Sequence, residues 1–516
     1  MFFIIYRQIV KYIYKVYICN MEIDFELGSK ILAAVNASGS LEQKALDADI
    51  LPHPDGKDIF VLHSNMKFPI GKAQAQKVLE KFCIPYSVIE DVPCSDGILR
   101  FSFGSLHRLG LHLIPYLSYG ILNGGMATSY CDTKNNSKFN PGLFEQCRDS
   151  FDSLSEKCKG KPKGITPAYI NPDGSSGYDF IELKMRSVLR HIRQSQIVTG
   201  KGASEYQYPI FQMTSHNTDA KLASRYKEYK NSSVLKELIA ETGVDVTEPL
   251  SAVQPLIPVF TPTSDGYPLS FFKDKDGNCY ALPGGHGQNF FVLRNIYRKL
   301  LDAGKKFVYL GNVDNIGFTI TPVELAVLAL SGRQATFDFS FKTPVDVKGG
   351  ILIRERSGHL TCGDIGRAVS NEFVRKNEEM GIPILFNCAT GLFNLEYLVE
   401  NLDRIIDNLP IRLSNQNKDI GQYSQAEQIT WEVIGLLDSL IIFAVEKYER
   451  FIASKLLMDN MLASDLPCCR SYLAENEETD FVRAVRAVQK GLVWNLKTQY
   501  GLELKDGRWA PVSAFS

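Results

Sequence analysis

The sequence lacks most of the signatures that would commit it to a large class of proteins. It has no surplus of either charge: 57 Lys and Arg stand against 58 Asp and Glu, a formal net charge of −1. Gripping a nucleic acid or an anionic membrane along its length requires a basic footprint, so neither is an expected partner. A small phosphorylated ligand needs only a few local cations. None of the 11 cysteines has CxxC spacing, and the adjacent Cys468 and Cys469 are poorly placed as metal ligands. Reduced, structural thiols in the cytoplasm are the expectation for a chain of this size. No GxxxxGK[ST] phosphate loop and no GxGxxG fingerprint occur, which disfavours P-loop and dinucleotide chemistry. Membrane-length apolar runs are missing too. Within residues 1–20, Arg7, Lys11 and Lys15 recur every four residues, too much charge for a span, and no small-residue cleavage site follows. That segment reads as an over-called start before Met21, or as an amphipathic surface helix. Residues 429–445 are apolar but carry Glu432 and Asp438, which suits a buried helix better than a span.

What is present is ordinary for a globular protein: 516 residues, 45% hydrophobic and 22% charged, enough for two or three domains. Residues 21–110 read as a mixed, mostly helical amino-terminal extension. From 111 to 410 apolar strand-like runs alternate with helical patterns. Strands are expected at 208–213, 256–260 and 306–310, and helices at 233–241, 290–303 and 322–331, the last opening on Pro322 as helices prefer. Such alternation implies an α/β domain with a mixed, mainly parallel sheet and helices on both faces. Ligands of such sheets bind beyond the carboxyl ends of the strands. Residues 131–160 are polar and weakly periodic and read as a surface insertion. Residues 411–516 read as a smaller, helical carboxy-terminal lobe.

Four short segments can carry chemistry. The apolar run ending at Leu122 meets Asn123-Gly124-Gly125-Met126-Ala127-Thr128, where glycines admit the close backbone approach and anion-binding N–H nest that a phosphate requires; an ordinary turn fits the residues equally. Lys161-Pro162-Lys163-Gly164 offers a lysine held between Pro and Gly, a well-placed point charge or a solvated basic loop. Pro283-Gly284-Gly285-His286-Gly287 exposes an imidazole among glycines. Gly311-Asn312-Val313-Asp314-Asn315 puts a carboxylate at a strand end, a suitable ligand for a hard cation such as Mg²⁺, which takes one or two protein carboxylates and completes its shell with water and phosphate.

In this order the segments resemble those of the UTP–hexose-1-phosphate uridylyltransferases, most nearly the UTP–glucose-1-phosphate uridylyltransferase family. The resemblance extends through FQMTSHNT at 211–218, Gln254 before Pro255, FKTPVDVKGG at 341–350, Phe386-Asn387 and RFIASK at 450–455, roughly residues 110–465. It implies a Rossmann-like, GT-A-like nucleotidyltransferase fold and transfer of UMP from UTP to glucose 1-phosphate with Mg²⁺. Leu122, Asn123, Gly124 and Gly125 would hold the nucleotide, Lys163 the triphosphate, Gln254 the uracil edge, and Gly285 and His286 the nucleotide sugar. Asn312 would face the sugar phosphate, Asp314 would hold Mg²⁺, Asn387 and Gly350 would line the hexose side, and Lys455 would meet the phosphates. The chain departs from the family at Ala127, where glycine is usual, at Ala453, and in the length of 131–160, which leaves Lys134 and Lys161 as alternatives to Lys163. N-acetylglucosamine 1-phosphate is the alternative acceptor, and a non-catalytic nucleotide-sugar-binding protein the alternative class.

Overall fold

Six-residue runs buried along their whole length organise the chain. Leu117–Leu122, Ile210–Ser215 and Leu440–Val445 have no exposed position. Strands covered on both faces read as continuous apolar runs, unlike the alternating pattern of a half-exposed sheet. A computed structural model describes residues 23–37, 46–418 and 420–512; both readings of residues 1–20 fall outside them. We number the strands along the main sheet β1 (Ile59–Val61), β2 (Leu117–Leu122), β3 (Ile210–Ser215), β4 (Leu250–Gln254), β5 (Phe307–Asn312), β6 (Ala335–Phe341), β7 (Leu385–Asn394) and β8 (Leu440–Val445). Their order is β1-β8-β6-β7-β5-β2-β3-β4, with three further strands joined through β7. All neighbours along this path are parallel except β7, which runs antiparallel to both β5 and β6. The sheet is thus mixed and mainly parallel, as the alternation predicts, and it takes strands from both sides of 111–410.

Side chains of one strand serve two cores. Phe307 and Tyr309 enter the larger one, and Val308 and Leu310 the other. Helix α1 (Phe103–Leu113) lies so close to the start of α4 (Pro322–Ser331) that a β-carbon on Gly110 would collide with the Pro322 carbonyl. Between these in sequence come α2 (Pro141–Cys158) and α3 (Phe180–Thr199), the latter opened by a capping box in which Asp179 and Glu182 satisfy each other's backbone amides.

Three expectations are corrected. Residues 131–160 are no irregular insertion: they form a short helix, Thr133–Phe139, and α2. Leu143, Phe144, Cys147, Phe151, Leu154 and Cys158 make a helical stripe that packs on Met458, Met461, Leu462 and Leu473. Cysteine had masked the stripe, because a free thiol packs as a small hydrophobe. Residues 429–445 hold a 3₁₀ turn, Thr430–Leu436, and the strand β8 in place of a buried helix; a short buried apolar run has no periodicity to separate the two. The segment after 410 begins with a hairpin, Ile411–Lys418 paired with Gly421–Gln428, and turns helical only after β8, with α5 (Leu457–Ala463), α6 (Pro467–Glu475) and α7 (Asp480–Trp494). The mixed amino-terminal extension carries, besides β1, a three-stranded sheet, Lys67–Gly71, Cys94–Ser95 and Ile98–Ser102. Among the described residues no helix is long and apolar enough to cross a membrane.

Candidate active site

The glycine turn begins where β2 ends. Leu122 pairs with Asn312 at the end of β5, so the two central parallel strands deliver both segments to the same carboxyl edge of the sheet. Asn123 is fully buried; its Nδ2 donates to Gln212 Oε1 at 3.1 Å, while its Oδ1 has no hydrogen-bond partner. Ser215 Oγ donates to the Gly124 carbonyl at 2.7 Å. Lys163 N donates to the Gly125 carbonyl at 2.9 Å and Ala127 N to the Lys161 carbonyl at 3.0 Å, so the loop carrying Lys163 is laced onto the turn despite the 35 residues from Thr128 to Lys163. A β-carbon on Gly164 would collide with Asn123 Oδ1, which is why the lysine is followed by glycine. The Gly125 α-carbon, by contrast, faces open space.

Lys163 is 7% exposed, and its Nζ has no hydrogen-bond partner. The ammonium rests 3.2 Å from the centre of the Tyr130 ring. Burial pushes its pKa down to about 8, against the pull of Asp314. A buried cation without an anion to pair with is costly unless something else brings the anion. Lys134 and Lys161 are both exposed.

Asp314 follows β5. Lys455 Nζ lies 3.0 Å from its Oδ2, with the lysine side chain 68% exposed and the aspartate 15%. Burial would lift the Asp314 carboxyl, but Lys455 and then Lys163 outweigh it and hold it below the ordinary carboxylate value; Asp314 in turn raises Lys455. Several contacts fix this pair. Asn315 bridges to Ala453 in antiparallel fashion, Ile316 N donates to the Ile452 carbonyl at 2.9 Å, and Asn315 Nδ2 donates to the Arg450 carbonyl at 3.0 Å. Arg450 is buried and grips Asp338 Oδ2 at 2.7 and 3.0 Å. From below, the buried Lys184 donates to the Phe318 carbonyl at 2.7 Å and to that of Asn315.

The histidine loop closes a third side. Gln254, at the end of β4, donates from Nε2 to the Gly285 carbonyl at 2.6 Å and to Gln288 Oε1 at 2.8 Å. Its Oε1 lies near the Gly124 α-carbon, since a β-carbon there would stand 3.5 Å away. The Thr430 hydroxyl lies 2.8 Å from His286 Nδ1 and the Thr430 backbone N–H 3.1 Å from it; in the tautomer that accepts from this N–H the ring proton sits on Nε2. Burial and the nearby Lys455 push this imidazole down to about 4, so it is a neutral donor at physiological pH. On the remaining side, a β-carbon on Gly350 would touch Cys362, Asn387 and Asp364. Asn387 itself spends its side chain on its own surroundings: Oδ1 accepts from Ala389 N at 2.6 Å and Nδ2 donates to Cys362 Sγ at 3.3 Å. The Cys388 carbonyl next to it accepts from Asn315 Nδ2 at 3.3 Å, which ties this strand to the Asp314 loop.

Lys163, Asp314, Lys455 and His286 therefore share one electrostatic neighbourhood at the carboxyl ends of β2 and β5. The arrangement can bind and align polyanions: exposed backbone N–H groups, two lysines and one ionised carboxylate. Four contributors lie outside the site residues that the motifs name. Tyr130 cushions Lys163, Thr430 orients His286, Lys184 props Asn315, and Asp459 caps the start of α5 by accepting from Leu456 N at 2.8 Å while feeling the charges of Lys163 and Lys455. Spacing alone could not find Tyr130, Thr430 and Lys184, which act across tens to hundreds of residues; Lys184, fully buried on α3, is an unusual charge for such a position.

The family described as UTP--glucose-1-phosphate uridylyltransferase matches residues 178–489. The UTP--glucose-1-phosphate uridylyltransferase of Encephalitozoon cuniculi is 24% identical over 259 residues, covering 48% of this chain and 45% of its own length. That of Astragalus penduliflorus is 26% identical over 271 residues, covering 52% and 53%. The chain thus spans about half the length of the curated relatives it matches. Among solved structures, the UDP-glucose pyrophosphorylase of Leishmania major is similar with a TM-score of 0.49 at 17% identity, over 78% of this chain and 70% of that one.

Proposed function

The chain belongs to the UTP–glucose-1-phosphate uridylyltransferase family, matched over more than half its length, and from that premise we propose that it transfers UMP from UTP to glucose 1-phosphate, giving UDP-glucose and pyrophosphate. One observation supports this above the others: Lys163, a buried cation without a hydrogen-bond partner, lies beside the glycine turn and within the fields of Asp314 and Lys455. A triphosphate is the ligand that such a group lacks.

In this reading the phosphate oxygen of glucose 1-phosphate attacks the α-phosphorus in line and pyrophosphate leaves. The attacking oxygen is already anionic, so no general base is required. What remains is to bring two mutually repelling anions together and to hold them in line. The N–H groups of Gly124 and Gly125 and the Lys163 ammonium receive the triphosphate. Lys455, exposed and paired with Asp314, turns toward phosphate when it arrives. Gln254, anchored through its Nε2, presents its amide oxygen beside Gly124 and so to the uracil edge. His286 offers Nε2–H as a neutral donor to the nucleotide sugar, and Asn312 meets the sugar phosphate beside Gly350 and Asn387. The Asp314 carboxylate, held ionised at a strand end, fits Mg²⁺, which needs no further protein ligand beyond water and phosphate oxygens. Bound there, the ion would neutralise charge on the phosphates. All ten described cysteines are free thiols, which fits a reducing compartment, and we place the reaction in the cytoplasm.

The test is release of pyrophosphate by the purified chain from UTP and Mg²⁺ with a panel of sugar 1-phosphates. Turnover with glucose 1-phosphate is expected. Turnover confined to N-acetylglucosamine 1-phosphate would move the acceptor, and UTP binding without any pyrophosphate release would make the chain a binding protein.

A further inference from the structure

Away from the carboxyl edge of the sheet, the fold brings together three thiols that lie far apart in sequence. Cys147 sits on the buried stripe of α2, and Cys468 and Cys469 occupy the first turn of α6, directly after Pro467. The adjacent pair alone makes a poor metal site, and the packing of α6 on α2 changes this. Cys147 Sγ lies 3.5 Å from Cys469 Sγ, and Cys468 Sγ lies 4.0 Å from Cys469 Sγ; all three sulfurs fall within 4.8 Å of one another. We propose that Cys147, Cys468 and Cys469 form a binding site for a thiophilic d¹⁰ cation, Zn²⁺ in the first instance.

The distances decide between a cation and a disulfide. An ion about 2.3 Å from each of its thiolates in a tetrahedral shell separates the sulfurs by about 3.8 Å. The Cys147–Cys469 and Cys468–Cys469 separations bracket that figure. A disulfide needs its sulfurs at about 2.05 Å, and it would leave the third thiol beside it without a role. The surroundings suit soft ligands. Cys147 and Cys469 are 1% and 0% exposed, among Phe151, Leu154 and Leu473, where a hydrated cation such as Mg²⁺ would be stripped of the oxygen ligands it prefers. Cys468 is half-buried and gives the ion an entry path, with a fourth position left to water. The pair sits in the first turn of α6, at the positive end of its dipole, which favours thiolate forms.

Binding converts three thiols to thiolates and releases their protons to solvent, with no change in oxidation state. It also joins α2 to α6. The same apolar cluster contains Tyr130, Leu457 and Met458, so the ion would stiffen the wall that carries the Tyr130 ring under Lys163 and the start of α5 after Lys455.

The full chain, reduced and freed of metal with a chelator, is titrated with Co²⁺ and then with Zn²⁺. One equivalent of Co²⁺ is expected to give thiolate-to-cobalt charge-transfer absorption that Zn²⁺ displaces. Zn²⁺ should protect the half-buried Cys468 from alkylation, read by peptide mass spectrometry, while the exposed Cys83 and Cys94 remain reactive. Cys468→Ser, at the least buried of the three positions, should weaken Co²⁺ binding at least 100-fold. Cys131→Ser should leave it unchanged, which separates this site from the Cys131 and Cys158 thiols nearby. Absence of the charge-transfer band in the wild-type chain, or its survival undiminished in Cys468→Ser, would overturn the proposal. Protection is read on the wild-type protein, so the result does not hinge on the folding of a variant.

Discussion

Replacing Lys163 by methionine should make the protein more stable and nearly inactive at the same time. The side chains are close in volume, so packing against Tyr130 and Phe180 is kept and the charge is lost. Burial lowers the lysine from 10.5 to about 8, a difference worth roughly 3 kcal/mol at about 1.4 kcal/mol per pH unit. The ring contact with Tyr130 returns on the order of 1–2 kcal/mol, so removing the charge should stabilise the fold by about 1–2 kcal/mol at neutral pH. The sign can be followed with pH. Below pH 8 the lysine is protonated in both the folded and the unfolded chain, and the penalty is fully present. Between 8 and 10.5 the folded chain sheds the proton and the unfolded chain keeps it, so wild-type stability gains across that window. The advantage of Lys163→Met should therefore shrink from pH 7 to pH 10. Thermal denaturation at one fixed scan rate, in the absence of UTP, measures this; the fixed rate matters because chains of this size often unfold irreversibly. The same variant should lose roughly 10²–10³-fold in kcat/KM for UTP, the loss seen when one preorganised charge-stabilising group is removed. A methionine variant that is less stable at pH 7, or that keeps its activity, would refute the assignment of Lys163 as a phosphate cation held ready at the expense of the apo fold.

The same lysine sets an alkaline limb. In the free enzyme kcat/KM for UTP should fall above about pH 8, and Lys163→Arg should abolish that fall, because guanidinium stays protonated throughout; a limb unmoved by arginine would assign it elsewhere. Asp314→Asn should cost roughly 10²–10³-fold in kcat, with the Mg²⁺ concentration for half-maximal rate raised; an unchanged Mg²⁺ dependence would exclude Asp314 as its ligand. Gly164→Ala drives a methyl into Asn123 Oδ1 and against Ile181, an overpacking worth about 1–3 kcal/mol, and should raise KM for UTP together with a lowered melting temperature. His286, lowered to about 4 by burial, should contribute acid sensitivity: the unfolded imidazole takes its proton near pH 6.5 and the folded one only near 4, so stability is lost as pH falls through that interval. His286→Gln should flatten this slope in acid denaturation.

How much of this was legible in the sequence depends on the range over which each residue acts. The run ending at Leu122 and the glycines after it announce a strand and a turn because the cause is local: six buried positions, then backbone freedom. The helix 322–331 is likewise signalled by its own Pro322, and it ends with Gly332 in a left-handed conformation at φ 65°. Residues 131–160 misled because their stripe is built partly from cysteine and because what it packs against, α5 and α6, lies three hundred residues away. Residues 429–445 misled through Glu432 and Asp438, read as marks of a helix; Glu432 instead meets the buried Arg412 at 2.7 Å, an ion pair that no spacing rule connects. The candidate site divides in the same way. Motif order offers three lysines, 134, 161 and 163, and cannot rank them. The ranking follows once Met126 pairs with Pro162: that bridge turns Lys161 outward, uses its carbonyl on Ala127, and sends Lys163 inward over Tyr130. Which lysine turns inward is thus decided here by a single antiparallel contact across the neck of a helical excursion, and Tyr130, whose ring lies under the ammonium, is the first aromatic residue inside that excursion.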